Sequence, residues 1–431
     1  MDCQILREIT IKSDGQLCCG EGLGYSINLG AISEKNGWDI RNVLTSPIYR
    51  HIRESFQQGT PPWKDNCINC ELFNSSAGNS VDTLDSEISL RIEPTLDCNL
   101  SCAFCKRKKE VKTRSGDWHL SLDKLKNLLH SCQNNGINII EVSYIGWGEP
   151  LNHPDFRALA ELVGHYFPGA YQEVTTVAQA NFVTKIGNAP LDKIIIACDG
   201  VSQQAYEKYR VRGDLEKVFR FMMDANYHKS AKTQITWKYI LFEHNDSAEE
   251  IEVAQKLADK FSIRDLLFIV TNTNNRSNKY TLENLADFPI KSAKTRILPC
   301  AALQRVDITY FSKSENLDLS SDLTEGYLDK IYKINSGHLV CEGWAIGKMG
   351  RTLTSLKGKI DDGSYIACTS ISEKRGDVKA ELLGSKNSNV GFVLYLPYQK
   401  YRIGYMNKIT LQLMVVEHSA PVEFEFVIGA L

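Results

Sequence analysis

The sequence predicts an α/β chain with an all-β C-terminal part, and three observations lead to that class. Strand-like and helix-like runs alternate between residues 86 and about 310. From about residue 325 the helical periodicity vanishes, and the chain reads as short strands separated by turns. A cysteine-bearing segment, residues 1–85, precedes both. Three domains are therefore expected, at 1–85, 86–310 and 325–431, and 431 residues suffice for a core in each.

Composition narrows the function classes. Fifty Lys and Arg against fifty-two Asp and Glu leave a formal charge of -2, which supplies no electrostatic reason to expect nucleic acid or an anionic membrane as partner. Met1-Asp-Cys-Gln-Ile-Leu-Arg-Glu lacks a basic stretch followed by an apolar one. No apolar run approaches the roughly 20 residues that span a bilayer. The expected compartment is cytoplasmic, with no membrane span. Thirteen cysteines in such a chain point to reduced thiols and metal ligation rather than disulfides.

In the first segment Ile5 to Ile11 reads as a strand and Ser13-Asp14-Gly15 as a turn, followed by Leu17-Cys18-Cys19-Gly20 and Leu29-Gly30-Ala31-Ile32. Ser46-Pro47 opens a helix running through Phe56, with Ile48, Ile52 and Phe56 on one face. Cys67-Ile-Asn-Cys70 closes the segment. By spacing alone Cys18, Cys19, Cys67 and Cys70 allow a zinc ribbon. Adjacent side chains in an extended run point to opposite sides, so Cys18 and Cys19 are alternatives for one ligand position.

The strands expected in the central segment are Ile88 to Ile92, Ile139 to Ile145, Glu173 to Val177, Lys193 to Cys198, Gln234 to Phe242 and Leu266 to Val270. Between them Leu122, Leu125, Leu129 and Cys132 recur at helical spacing, as do Leu215, Val218, Phe219 and Met222, and Ile251, Ala254, Leu257, Ala258 and Phe261. Ser247-x-x-Glu250 has the form of a capping box. Such alternation implies a parallel sheet with right-handed crossovers.

Directly after the first of these strands stands Cys98-Asn-Leu-Ser-Cys102-Ala-Phe-Cys105. Three thiolates on one short loop can meet three corners of a cube-shaped iron-sulfur cluster. The fourth iron then keeps an open position, the condition that separates catalytic from structural metal sites. A zinc knuckle would bring a fourth Cys or His at short spacing, whereas Lys106-Arg-Lys-Lys109 follows here. The second strand ends in Gly146-Trp-Gly148-Glu149-Pro150, small residues that let backbone approach a ligand, plus one carboxylate. After the fourth strand, Cys198-Asp199-Gly200 leads to Arg210 and Arg212. A guanidinium meets a carboxylate bidentately; the alternative is a solvated charged turn.

This order of motifs resembles the radical S-adenosylmethionine superfamily. The resemblance implies a partial (β/α)6 TIM-like barrel, in which reacting groups gather where strands end and loops begin. It implies a [4Fe-4S] cluster on Cys98, Cys102 and Cys105, whose open iron holds S-adenosylmethionine. Gly146, Gly148, Glu149 and Pro150 match the element that binds the methionine amino group. Asp199 stands in the element that leads to an arginine, Arg210 in preference to Arg212, paired with the S-adenosylmethionine carboxylate. One electron from a cellular donor such as flavodoxin or ferredoxin would release a 5′-deoxyadenosyl radical. The N-terminal segment resembles part of the SPASM and Twitch domains, here placed before the barrel. That implies an auxiliary [4Fe-4S] cluster on Cys67, Cys70, one of Cys18 and Cys19, and Cys300. Cys198 and Cys300 are candidate hydrogen donors to a substrate radical, as in the family's epimerases, although a small apolar filler is the alternative for Cys198. Asp199 and His153 are candidate acids or bases.

The C-terminal strands are expected at His338 to Ile346, Gly391 to Leu396, Ile409 to Val416 and Val422 to Ile428, forming an antiparallel β-sandwich after a polar linker at Asp318 to Gly326. Cys341 and Cys368 read as structural, and Trp344 as a core residue. Gly343-Trp344-Ala345, Arg375-Gly-Asp377-Val378 and Gly391-Phe392 resemble an accessory β domain of bacterial glycosyltransferases and other surface-polysaccharide enzymes. The expected activity is hydrogen abstraction from a saccharide or sugar-bearing metabolite, ending in epimerisation or oxidation. The rival enzyme reading is maturation of a peptide, and the rival of another class is a non-catalytic metal-bearing interaction protein.

Overall fold

A computed structural model of the chain describes residues 2–19, 27–32, 39–58, 60–63, 67, 73–74, 87–105, 107–114, 117–271, 273, 275–281 and 288–299, together with 306–310, 317–318, 324–334, 338–347, 355–360, 366–367, 371–374, 389–397, 408–417 and 420–429. Cys70, Cys300, Cys368 and Arg375 to Val378 lie outside the described residues. The chain divides into two compact units.

The first unit is an α/β fold on a mostly parallel sheet. Its strands are β1 (Glu8–Ile11), β2 (Gln16–Cys18), β3 (Asn28–Ala31), β4 (Glu87–Ile92), β5 (Asn138–Tyr144), β6 (Tyr171–Thr176), β7 (Lys193–Ala197) and β8 (Gln234–Leu241). These eight strands, part of a ten-stranded sheet that also includes Asp265–Val270 and Thr295–Pro299, lie in the order β8-β7-β6-β5-β4-β1-β2-β3. From β4 to β8 every neighbour is parallel, as consecutive strand and helix units require. The first strand starts later than Ile5, because Gln4–Leu6 forms a 3-10 turn. It then runs parallel to β4, with Ile9 opposite Leu90 and Ile11 opposite Ile92. The N-terminal segment thus adds three strands, β1 to β3, to the sheet of the central segment.

The two faces of this sheet differ in chemistry because side chains alternate along a strand. Ile88, Leu90, Ile92, Val142, Tyr144, Val174, Ile194 and Ile196 are at most 2% exposed. They share the face on which the helices pack; the Tyr144 ring meets Phe156 of the following helix edge-on at 5.3 Å. Each such aliphatic or aromatic side chain contributes about 1.5–3 kcal/mol on full burial. The other face carries a cross-strand row, Cys18, Thr10, Arg91, Ser143, Glu173, Lys193 and Gln234, set by the strand register.

The helices follow from sequence signals. Helix α1 is Ile40–Leu44 and α2 is Pro47–Gln57, where Ile48 is only half-buried and Tyr49, Ile52, Ser55 and Phe56 form the buried face. Helix α3 is Arg107–Thr113 and α4 is Leu122–Asn134, opened by the Ser121 hydroxyl accepting from Lys124 N. Helices α5 (Phe156–Tyr166), α6 (Phe182–Lys185), α7 (Gln203–Tyr209), α8 (Leu215–His228) and α9 (Ala248–Lys260) follow among the described residues. Ser247 Oγ caps α9 by accepting from Glu250 N at 3.1 Å. Glu250 does not complete the reciprocal half of the box. Its carboxylate instead accepts from Val201 N at 3.1 Å, Ser202 Oγ at 3.0 Å and Tyr239 OH at 3.2 Å, tying α9 to the loop after β7.

The second unit is antiparallel. Thr324–Ile334, His338–Gly347, Asn389–Pro397 and Ile371–Lys374 pair in one sheet, and Ser355–Ile360, Lys408–Glu417 and Ala420–Gly429 in another. The strand at Thr324 begins inside the stretch expected as linker. Trp344 is 7% exposed and Cys341 fully buried, in keeping with core positions.

Candidate active site

Beyond the last residue of β4, Glu93-Pro94-Thr95-Leu96-Asp97 carries the chain into the cysteine loop. That lead-in is fixed by backbone bonds, Leu96 N to Trp118 O and Leu120 N to Pro94 O, both 2.8 Å. The loop is held from across the sheet, where Ser101 N donates to Val211 O and Ala103 N to Tyr209 O, each at 3.0 Å. Cys98, Cys102 and Cys105 are all partly exposed. Their sulfurs accept from Leu100 N at 3.4 Å, from Arg210 Nη1 at 3.7 Å and from Arg107 N at 3.4 Å, respectively. Burial pushes the Cys98 thiol up to about 11, against the Leu100 N–H. Burial raises Cys102 too, opposed by the Arg210 guanidinium.

The glycine-rich element after β5 packs on this lead-in. A Cβ at Gly148 would lie 2.1 Å from Thr95 O and 2.7 Å from Asp97 O, and one at Gly146 would overlap the Glu93 side chain. Both glycines are therefore needed for one segment of the chain to approach another, whatever ligand comes near. Glu149 N donates to Asp97 O at 2.7 Å and Trp147 N to Glu93 Oε2 at 3.0 Å. The Glu149 carboxylate, 3% exposed, accepts from Thr176 Oγ1 at 2.5 Å, Val177 N at 2.9 Å and Leu151 N at 3.2 Å. Burial raises its pKa while those donors pull it down. Pro150 opens the short turn that follows and is buried. The indole Nε1 of Trp147 is buried with no hydrogen-bond partner among the described residues.

Asp199 and Arg210 come from the loop after β7 and the end of α7. Asp199 is 0% exposed and accepts from Arg210 Nε at 2.6 Å and from Ile240 N at 2.6 Å. Burial alone would lower the Arg210 pKa, but the Asp199 carboxylate outweighs it and holds the guanidinium well above its usual value. Arg210 thereby links a buried carboxylate to the Cys102 sulfur. Arg212 is exposed, with its backbone in the left-handed region at φ 71°, so the two arginines are sharply distinguished. Cys198 is fully buried, its thiol donating to Gly200 O at 3.4 Å. Both ring nitrogens of His153 are engaged: Nε2 donates to Leu120 O at 2.9 Å and Nδ1 accepts from Asp155 N at 3.0 Å, which leaves neither for acid-base work.

Of the cysteines expected to hold an auxiliary group, Cys18, Cys19 and Cys67 are described. Cys18 is 4% exposed, and burial pushes its thiol up to about 12. It lines a crevice with Glu93, Arg114, Gly146 and Trp147. The Cys19 sulfur accepts from Ile27 N at 3.0 Å. Cys67 is half-buried. Glu93 and Arg114 were not anticipated. They form a bidentate ion pair, 5% and 6% exposed, beneath the glycine-rich element. The available signal was a carboxylate at the end of an apolar strand, immediately before Pro94.

The radical SAM superfamily profile matches residues 92–259, from the last residue of β4 into α9. The chain carries a radical SAM superfamily domain. Members of this superfamily bind a [4Fe-4S] cluster and S-adenosylmethionine. The chain is 30% identical over 132 residues to a probable GTP 3′,8-cyclase of Methanopyrus kandleri, covering 30% of this chain and 39% of that protein. It is 26% identical over 149 residues to the GTP 3′,8-cyclase of Alkaliphilus metalliredigens, covering 33% and 45%. It thus spans less than half the length of these curated relatives. Among solved structures, Streptococcus suis SuiB overlays 53% of each chain at 15% identity and TM-score 0.39. The anSMEcpe structure with bound AdoMet covers 47% of this chain and 54% of that one at 16% identity and TM-score 0.34.

The donor set suits the superfamily's cluster. Thiolates are the soft ligands iron-sulfur clusters require, and three partly exposed ones share a single loop of the radical SAM domain. Among the described residues no three His, Cys, Asp or Glu gather closely enough to hold a single metal ion; a cube-shaped cluster takes one thiolate per corner.

Proposed function

We propose that the chain is a radical SAM enzyme that cleaves S-adenosylmethionine reductively and abstracts a hydrogen atom from a sugar-bearing metabolite. The observation that carries this reading is the contact of Arg210 with Cys102 at 3.7 Å, made by an arginine already anchored on buried Asp199. In this reading Cys98, Cys102 and Cys105 would ligate the cluster, which would supply the electron that splits the sulfonium of bound S-adenosylmethionine. Arg210 would face the S-adenosylmethionine carboxylate, and Gly146, Gly148, Glu149 and Pro150 would form the wall beside the methionine moiety. A fixed cation desolvated at that position gains strength from its low-dielectric surroundings.

The sugar-bearing substrate is supported by the expected C-terminal accessory domain and by relatives named for a nucleotide, GTP. We retain the auxiliary cluster as part of the proposal, nucleated by Cys18 or Cys19 with Cys67, Cys70 and Cys300. Epimerisation and oxidation remain the two outcomes of the reaction; the hydrogen donor in the first is Cys198, or Cys300 in the alternative in which Cys300 is not a cluster ligand.

The test is isotope transfer. Anaerobically reconstituted protein, dithionite and S-adenosylmethionine are offered, in parallel, nucleotides and nucleotide sugars deuterated on sugar carbons and a set of deuterated peptides. Deuterium in 5′-deoxyadenosine identifies the substrate class. Transfer only from deuterated peptides would overturn the sugar reading.

A further inference from the structure

Helix α3 follows the cysteine loop directly and buries none of its residues. Short helices in proteins are normally held by an apolar face packed on the core, so packing does not dictate Arg107-Lys-Lys-Glu-Val-Lys-Thr113. Its charges divide by direction. Glu110 turns inward, 16% exposed, to Arg114 at 3.3 Å and Lys12 at 3.5 Å. Arg107 is also held, donating from Nε to Leu96 O at 2.6 Å with its guanidinium over the Trp118 ring at 5.6 Å. Lys108, Lys109 and Lys112 remain exposed.

The same stretch of chain carries two large exposed rings, one on each side of the helix in sequence. Phe104, 39% exposed, lies between Cys102 and Cys105 and stacks on Tyr209 at 5.9 Å; Trp118 is 40% exposed. Nearby acidic groups already have cations: Asp117 accepts from Lys124 at 3.0 Å, and Asp97 lies 3.9 Å from Arg107. The face is therefore basic and aromatic, on a chain whose formal charge is only -2. It borders the cysteine loop itself, with Arg107 N 3.4 Å from the Cys105 sulfur and Lys108 next in the chain.

We propose that Lys108, Lys109 and Lys112, with Phe104 and Trp118, form the docking face for an acidic, flavin-bearing electron carrier. This rests on the radical SAM reading, in which each turnover begins with one electron from outside. One electron would leave the partner's two-electron-reduced flavin, which is left one-electron reduced, and would reduce the oxidised [4Fe-4S] cluster that Cys98, Cys102 and Cys105 would hold. Complementary charge steers such encounters and aligns the partners, and a basic face selects an acidic carrier. Exposed aromatic rings add contact area where the patch is desolvated.

The experiment uses the full reconstituted chain and an acidic flavodoxin as probe. Binding is measured by anisotropy of the labelled flavodoxin, and 5′-deoxyadenosine is measured separately with reduced flavodoxin and with dithionite. The charge-reversed variant K108E/K109E/K112E should weaken flavodoxin binding and the flavodoxin-driven rate by about tenfold or more at low salt, with the dithionite-driven rate unchanged. K108R/K109R/K112R should keep both, and salt should weaken wild-type binding but not that of the reversed variant. Unchanged flavodoxin binding after charge reversal refutes the docking face, as does an equal loss of the dithionite-driven rate. Equally tight binding of a short oligonucleotide at the same lysines would also overturn it. A wild type that makes no 5′-deoxyadenosine even with dithionite refutes the enzyme reading, while the binding measurement still decides the face.

Discussion

Asp199→Ala probes the arrangement most severely. The Asp199 carboxylate is fully buried and accepts from Arg210 Nε and Ile240 N, both at 2.6 Å. Its removal strands a guanidinium whose side chain is 10% exposed and takes an acceptor from the Ile240 N–H. Breaking a buried ion pair from one side costs about 3–5 kcal/mol. A loss of about that size is expected, a large part of the roughly 5–15 kcal/mol that holds a typical protein folded. Arg210→Met leaves the carboxylate buried without its guanidinium and should cost about 3–5 kcal/mol. The double variant Asp199→Ala/Arg210→Met buries no unpaired charge and should recover much of the loss, with a coupling energy of about 3 kcal/mol or more. Urea unfolding of the metal-free chain, extrapolated linearly to water, reads all four corners of the cycle. Single variants that each cost under about 1 kcal/mol, or that simply add in the double, would refute the sealed pair.

Two further outcomes follow from the same region. Gly148→Ala drives a Cβ to 2.1 Å from Thr95 O, a backbone atom that cannot swing aside. It should cost about 1–3 kcal/mol by overpacking and lower the iron bound per chain, read by urea midpoint and iron analysis; full iron loading at wild-type stability would contradict the close approach. The buried ring of His153 is pulled below its usual pKa by desolvation, against the Leu120 carbonyl. The unfolded state therefore takes up a proton first, so this contribution is present above the ordinary value of about 6.5 and is lost as pH falls below it. His153→Gln should flatten the stability profile over that acid range, and an unchanged slope would show that the ring is not held neutral.

The parts of the fold legible in the sequence are those encoded by short-range periodicity. Strands Glu87–Ile92 and Gln234–Leu241 stand where apolar residues cluster, and helix Leu122–Asn134 where they recur at helical spacing. Pairing across long separations leaves no such trace, which is why the parallel union of Glu8–Ile11 with Glu87–Ile92 was not foreseen. The glycine-rich element was found for its small residues, but the reason for them lies in a backbone segment some fifty positions earlier. Arg210 and Arg212 read alike in sequence. Only the fold separates them, sealing one on Asp199 and leaving the other in solvent. Glu250 shows the same limit: its capping signal was correct for Ser247, while its carboxylate was taken by Val201, Ser202 and Tyr239 from other parts of the sheet.

The most direct test of the central claim is formation of 5′-deoxyadenosine from S-adenosylmethionine by the reconstituted chain with dithionite under strict anaerobiosis. The expected result is product from wild type and none from Cys98→Ala, Cys102→Ala or Cys105→Ala, each of which removes a corner ligand. Product from the cysteine variants at the wild-type rate, or none from an iron-loaded wild type, would contradict a radical enzyme built on this loop.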